Sequence, residues 1–146
     1  MGINKSTILI KTIINASSER VWKAWTDASL IMNWFGSDPK GTVLMAKLDV
    51  QPGGYFEVRF QDSDGTEHSC FGIYNEVREF NQLSFSWNWK SEPGVESFIE
   101  LSLVAEGNST RMQLEHSNLG IGSKHDYIKG WQSTFAKLDG LLNASV

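Results

Sequence analysis

Apolar and polar residues alternate along this chain with two periods, and the places where the period changes mark its elements. Thr7 to Asn15 (TILIKTIIN) is β-branched and apolar, which predicts a strand. Ser17 and Ser18 then offer an N-cap, and SERVWKAW continues with helical spacing, with Val21, Trp22 and Trp25 on neighbouring faces. Asp27 reads as a second cap, opening DASLIMNWFG, in which Leu30, Ile31 and Trp34 make an apolar face and Gly36 a stop. Two short helices joined without a linker predict a hinge or lid rather than a bundle. Ser37 to Thr42, with Pro39 and Gly41, predicts a loop.

Period two then takes over. A strand from Ala46 to Gln51 leads through Pro52-Gly53-Gly54 into Tyr55–Phe60, where Phe56, Val58 and Phe60 share one face. Asp62-Ser63-Asp64-Gly65 has the chemistry of a tight hairpin turn. Over 66–77 the alternation admits two phases, with Phe71, Ile73 and Val77 inward or Cys70, Gly72 and Tyr74 inward. Gly72 marks a bulge or a close backbone approach. Leu83, Phe85, Trp87 and Trp89 alternate with polar residues, as do Ile99, Leu101 and Leu103. After a Gly107-Asn108 turn, Met112, Leu114 and His116 alternate in the same way. From Ser123 to Asn143 the period returns to that of a helix, with Ser123 as cap and Ile128, Trp131, Phe135, Leu138 and Leu142 as one broad stripe.

A long helix with a bulky aromatic face, following a run of antiparallel strands, needs a curved sheet to lie in. The expected fold is therefore α+β, a helix grip ordered β-α-α-β-β-β-β-β-β-α in one domain over residues 1–146. Such an arrangement tends to enclose a cavity.

Composition narrows the functional classes. The 146 residues include six Trp and eight Phe, enough large rings to line a core or a pocket. Thirteen scattered Lys and Arg and a net charge of −4 argue against a nucleic-acid partner. No stretch approaches the roughly 20 apolar residues of a membrane span. The start of the chain lacks the apolar core of a signal peptide, although Gly2 and Ser6 formally match a myristoylation pattern. One cysteine, Cys70, forms no internal disulfide, so the default expectation is a cytoplasmic protein.

The pieces INASSERVWKAWTDASLIMNWFG (14–36), PGGYFEVRF (52–60), HSCFGIYNEV (68–77), LSFSWNW (83–89), STRMQLEHSNLG (109–120) and GWQSTFAKLDGLL (130–142) occur in this order along nearly the whole chain. Together they resemble the AHSA1 family, named for a domain of the activator of Hsp90 ATPase, within the START/Bet v 1-like superfamily. The resemblance implies a hydrophobic cavity between the last helix and the sheet. It also implies one of three functions: binding of a small apolar molecule, interaction with a chaperone partner, or cyclase-like catalysis. The chain departs from the eukaryotic co-chaperone pattern, in which this domain is one half of a two-domain protein.

The candidate binding residues are Trp25, Trp34, Phe56, Phe71, Trp87, His116, Trp131 and Phe135. The rings form either a filled core or the wall of a cavity. His116, in phase with Met112 and Leu114, is either the group that orients a ligand or a satisfied histidine at the sheet's edge. Gly130 inside the helix costs roughly 1 kcal/mol against Ala, easier to understand if something packs closely there. No metal and no cofactor is expected. His68 and Cys70 lack a matching partner pair, His125 and His116 give no sign of converging with them, and no phosphate loop, dinucleotide fingerprint or nucleophile elbow occurs. Asp62 and Asp64 lack the length and closing Glu of a calcium loop. The leading expectation is non-catalytic binding of a small hydrophobic or aromatic ligand.

Overall fold

A computed structural model describes residues 6–119 and 126–143. The expected helix cap at Ser123, the position of His125 and the N-terminal pattern at Gly2 lie outside the described residues. Strand β1 (Ser6–Ile14) is followed by α1 (Ser18–Thr26) and the one-turn α2 (Ala28–Ile31). Strands β2 (Thr42–Leu48), β3 (Tyr55–Gln61), β4 (Glu67–Arg78), β5 (Gln82–Trp89), β6 (Glu96–Glu106) and β7 (Ser109–Leu119) follow, and α3 (Tyr127–Asn143) closes the order. The capping chemistry holds. Ser17 Oγ accepts the amide of Arg20, and Asp27 Oδ1 accepts that of Ser29 at 2.9 Å.

Among the described residues the strands form one antiparallel sheet in the order β1-β7-β6-β5-β4-β3-β2. The chain thus leaves one edge with β1 and rejoins the sheet at the other with β2, and α1 and α2 cover the crossing. β2 begins earlier than the sequence predicts, because Thr42 and Val43 already pair with Gln61 and Phe60. The hairpin at 62–65 closes through Asp62 and Thr66, with Gly65 at φ +94°.

The ambiguous strand resolves into both of its phases. Cys70, Gly72 and Tyr74 face the core, and Ile73 is exposed on the other side. A bulge between Tyr74 and Glu76 then slips the register by one, so Val77 pairs with Leu83 and turns inward. Phe71 therefore lies on the outer face, beside Tyr55 with ring centroids 6.4 Å apart, and not on the pocket wall expected for it. Gly72 is the close approach: a Cβ there would stand 2.0 Å from the Ser86 carbonyl oxygen.

The core lies between the inner face and the helices. Ile14, Leu101, Leu114 and Leu138 are sealed from solvent. On α3 the buried stripe is Trp131, Thr134, Phe135, Leu138 and Leu142, whereas Ile128 is 49% exposed and does not belong to it. Polar ties hold α3 at its C-terminal end and along its middle. Arg20 donates to the Leu142 carbonyl at 2.6 Å, where a cation suits a helix C-terminus. Ser133 Oγ donates to the Ser37 carbonyl at 2.6 Å, and Lys137 Nζ to that of Asp38 at 3.0 Å. Among the described residues, no helix is long and apolar enough to cross a membrane.

Candidate functional site: an aromatic pocket at the mouth of the grip

The N-terminal end of α3 does not close on the sheet. Between them lies a pocket of about 100 Å³ that opens to solvent, walled by the rings of Phe35, Phe60, Trp87, Trp89, Tyr127 and Trp131. Each ring arrives by a simple rule. Phe60, Trp87 and Trp89 are inward positions at the mouth ends of β3 and β5. Tyr127 and Trp131 are one helical turn apart, and Phe35 ends the turn after α2. Gly36, Ser37, Asp126, Gly130 and Thr134 complete the lining. A Cβ at Gly130 would meet only the Ser37 side chain, at 3.6 Å, so the glycine leaves room at the pocket wall.

Several of the lining's polar side chains are already engaged. Trp89 Nε1 donates to the Tyr127 hydroxyl at 2.9 Å, Thr134 Oγ1 donates to the Gly130 carbonyl at 2.7 Å, and Asp126 accepts the amide of Lys129 at 3.1 Å. Recognition here rests on ring faces and shape.

Behind this space sits an inner cavity of about 20 Å³, with Trp25, Phe56, Phe85 and Tyr74 in its wall. Phe35 and Trp87 belong to both linings, so the two spaces share a wall. Their rings stack there at 5.9 Å.

Of the two readings for His116 the satisfied histidine holds, but in the core and not at the sheet's edge. It is fully buried, lines neither space, and has partners at both ring nitrogens. Trp131 Nε1–H can only donate, so Nδ1 is the acceptor at 3.1 Å and the ring proton must sit on Nε2. Nε2 then donates to Ser97 Oγ at 2.8 Å, which donates onward to the Trp87 carbonyl at 3.2 Å. Burial pushes the imidazole pKa down to about 3, so it stays neutral. His116 is a satisfied core histidine that holds the Trp131 indole in place, not a group that meets a ligand.

Of the other expected residues, Trp87 and Trp131 line the outer pocket, with ring centroids 5.4 Å apart. Trp25 and Phe56 line the inner cavity. Trp34 and Phe135 line neither. Trp34 donates its indole N–H to the Ala24 carbonyl at 3.0 Å, and Phe135 packs between Trp25 and Trp131. Phe60 and Trp89 share the alternation of Phe56 and Trp87, so the signal for them was present. Tyr127 stands four residues before Trp131 and shares its helical stripe, so its signal was present too, whereas Phe35 carries none, because it sits where an element ends.

Among the described residues, no group of three or more His, Cys, Asp or Glu side chains gathers as a metal ion requires. His68 Nε2 pairs with Asp62 at 2.8 Å, and Cys70 is sealed on the inner face, where burial pushes its thiol pKa up.

A curved antiparallel sheet gripping a C-terminal helix, open at one end, defines the helix-grip class. Comparison with known proteins narrows this. The family described as "Activator of Hsp90 ATPase homolog 1-like protein" matches residues 15–143, and the chain belongs to that family. No curated protein matches it. Similar solved structures include protein CV1439 from Chromobacterium violaceum (TM-score 0.82, 18% identity, 94% of this chain and 97% of that one). An AHSA1-like protein from Aeromonas hydrophila has a TM-score of 0.82 at 20% identity, covering 96% and 94%. CalU16 from Micromonospora echinospora matches at 0.65 and 26%, covering 93% and 74%.

Proposed function

We propose that this protein binds a small apolar or aromatic molecule, without transforming it, by seating one ring of that molecule in the outer pocket. The observation that carries the reading is the wall of six aromatic rings around an open space. At about 100 Å³ the pocket is smaller than the roughly 150 Å³ closed cavity that takes benzene, but it opens to solvent, so a ring can seat in it with part of the ligand in the mouth. Cyclase-like catalysis has no free inward polar group at His116 to work with, since both nitrogens have protein partners. Trp87, Trp89 and Trp131 report on the site directly, so titration with ethylbenzene or indole should quench intrinsic fluorescence saturably. The same ligands should raise the melting temperature, by mass action on the folded state. Absence of both effects at millimolar ligand would overturn the reading. Native mass spectrometry of freshly purified protein would identify a retained molecule.

A second reading, docking on a chaperone partner, is favoured by the outer face of the sheet. Tyr55 and Ile73 pair in register there, and Phe98 lies opposite Ser86, whose Oγ accepts the Ile73 amide at 2.9 Å. All three side chains are at least 40% exposed. On this reading Ile73→Glu with Phe98→Glu abolishes binding to an Hsp90-type chaperone and leaves ligand titrations unchanged. A wild-type protein with no affinity for the chaperone removes it.

A further inference from the structure

Buried indole N–H groups find acceptors, because an unmade bond forfeits the hydration lost on burial. Trp34, Trp89 and Trp131 obey this, through Ala24, Tyr127 and His116. Trp25 and Trp87 do not. Both Nε1 atoms are buried, on residues only 3% exposed, and neither has a hydrogen-bond partner among the described residues. Edge-on neighbours, Trp34 at 4.9 Å from Trp25 and Trp89 at 5.2 Å from Trp87, offer ring π density. That is a much weaker acceptor than an oxygen.

These two unpartnered donors belong to residues that line the same inner cavity, whose volume of about 20 Å³ is room for one oxygen-sized group. The cavity lining holds no charged side chain, so a carboxylate there would be buried without compensation. A carbonyl oxygen accepts two N–H bonds through its two lone pairs and brings no donor of its own. Through Phe35 and Trp87 the cavity adjoins the outer pocket, where the ring would sit.

We infer that Trp25 and Trp87 form an acceptor site for the carbonyl oxygen of an aromatic carbonyl ligand. This deepens the proposed function and rests on it, since the ring must first occupy the outer pocket. Ring and oxygen together select aryl ketones and their relatives over plain hydrocarbons.

The test uses a matched pair of probes, acetophenone and isopropylbenzene, which share ring and size and differ in the carbonyl. Acetophenone should bind roughly fivefold or more tightly, the scale of one or two neutral hydrogen bonds. In a ¹H–¹⁵N spectrum the indole signals lost in Trp25→Phe and Trp87→Phe should move downfield with acetophenone and stay in place with isopropylbenzene. Within each variant the affinity ratio should fall toward one. Because that ratio compares two probes on the same protein, an overall loss of stability does not mimic it, and the wild-type ratio needs no variant at all. Equal binding of both probes with unmoved indole signals overturns the acceptor site and leaves the ring pocket standing. Binding of neither overturns both. A long-lived water that cross-relaxes with both indole protons and persists when acetophenone is bound also overturns it, since the donors then serve a structural water.

Discussion

Replacing His116 with leucine removes the imidazole and keeps most of its volume, which separates the hydrogen-bond chain from simple packing. In the wild type Trp131 Nε1–H and Ser97 Oγ both depend on the ring. The substitution leaves the Trp131 donor buried and unpaired, a cost of about 1–3 kcal/mol near pH 8. The pH dependence is the sharper signature. The folded pKa of about 3 lies below the ordinary 6.5, so between these values the unfolded chain binds the extra proton. The histidine's contribution is therefore complete above pH 6.5 and declines as pH falls toward 3. At pH 5 the loss is about 1.5 pH units times 1.36 kcal/mol, or roughly 2 kcal/mol. Asp38, held down to about 2 by the amides of Ser63 and Lys40, gives up its proton-linked effect only at lower pH. Urea unfolding followed by fluorescence from pH 8 to pH 5 should show the wild type losing about 2 kcal/mol more than His116→Leu. Parallel pH profiles for the two proteins would refute the neutral, doubly bonded histidine.

Three further outcomes follow from the packing. Trp131→Ala should cost roughly 3–5 kcal/mol in denaturant unfolding, because it deletes a buried ring. A loss below about 1 kcal/mol would place the residue outside the core. Gly72→Ala should destabilise by roughly 3 kcal/mol or more, since its Cβ meets Ser86 backbone at 2.0 Å, and calorimetry would show whether the strand gives way more cheaply. Gly130→Ala should instead stabilise α3, by up to about 1 kcal/mol, while weakening ring ligands in the fluorescence titration. Unchanged affinity would mean that the pocket wall does not reach position 130.

Much of this fold was legible because its period signals are strong and local. β3, β5 and β7 alternate cleanly, and Ser17 and Asp27 cap where capping chemistry says they should. What failed did so for physical reasons. The bulge near Asn75 lets two residues of β4 face one of β5, so no single alternation fits the whole strand. The sequence leaves both phases open, and Phe71, a candidate for the wall, lies on the outer face. Ile128 fits the helical spacing but is turned to solvent in the first turn of α3, where its neighbour Tyr127 is the residue that faces the sheet. The pocket was half legible. Inward phase identified Trp87 and Trp131, yet phase says nothing about depth, so Trp34 and Phe135, which are fully packed, looked the same as the wall. His116 shows the limit most clearly: its inward position was predictable, but its partners come from α3 and β6, 15 and 19 residues away along the chain.

The grip is asymmetric, and that asymmetry assigns stability and binding to different ends of α3. Toward the C-terminal end the helix presents Leu138 and Leu142, which interlock with the aliphatic inner face, while Arg20 fixes the last turn. Branched aliphatic chains fill such space densely. Toward the N-terminal end it presents Trp131 and Tyr127 against Phe35, Phe60, Trp87 and Trp89. Rings meet edge-on here, at 89° for Phe35 on Trp131 and 83° for Trp87 on Trp89, and leave part of the volume between them unfilled. The hydrogen bonds from Trp131 to His116 and from Trp89 to Tyr127 fix the rings that wall that space. Held rings around an unfilled space are a pre-organised binding wall, for which little ordering remains to oppose a ligand's arrival.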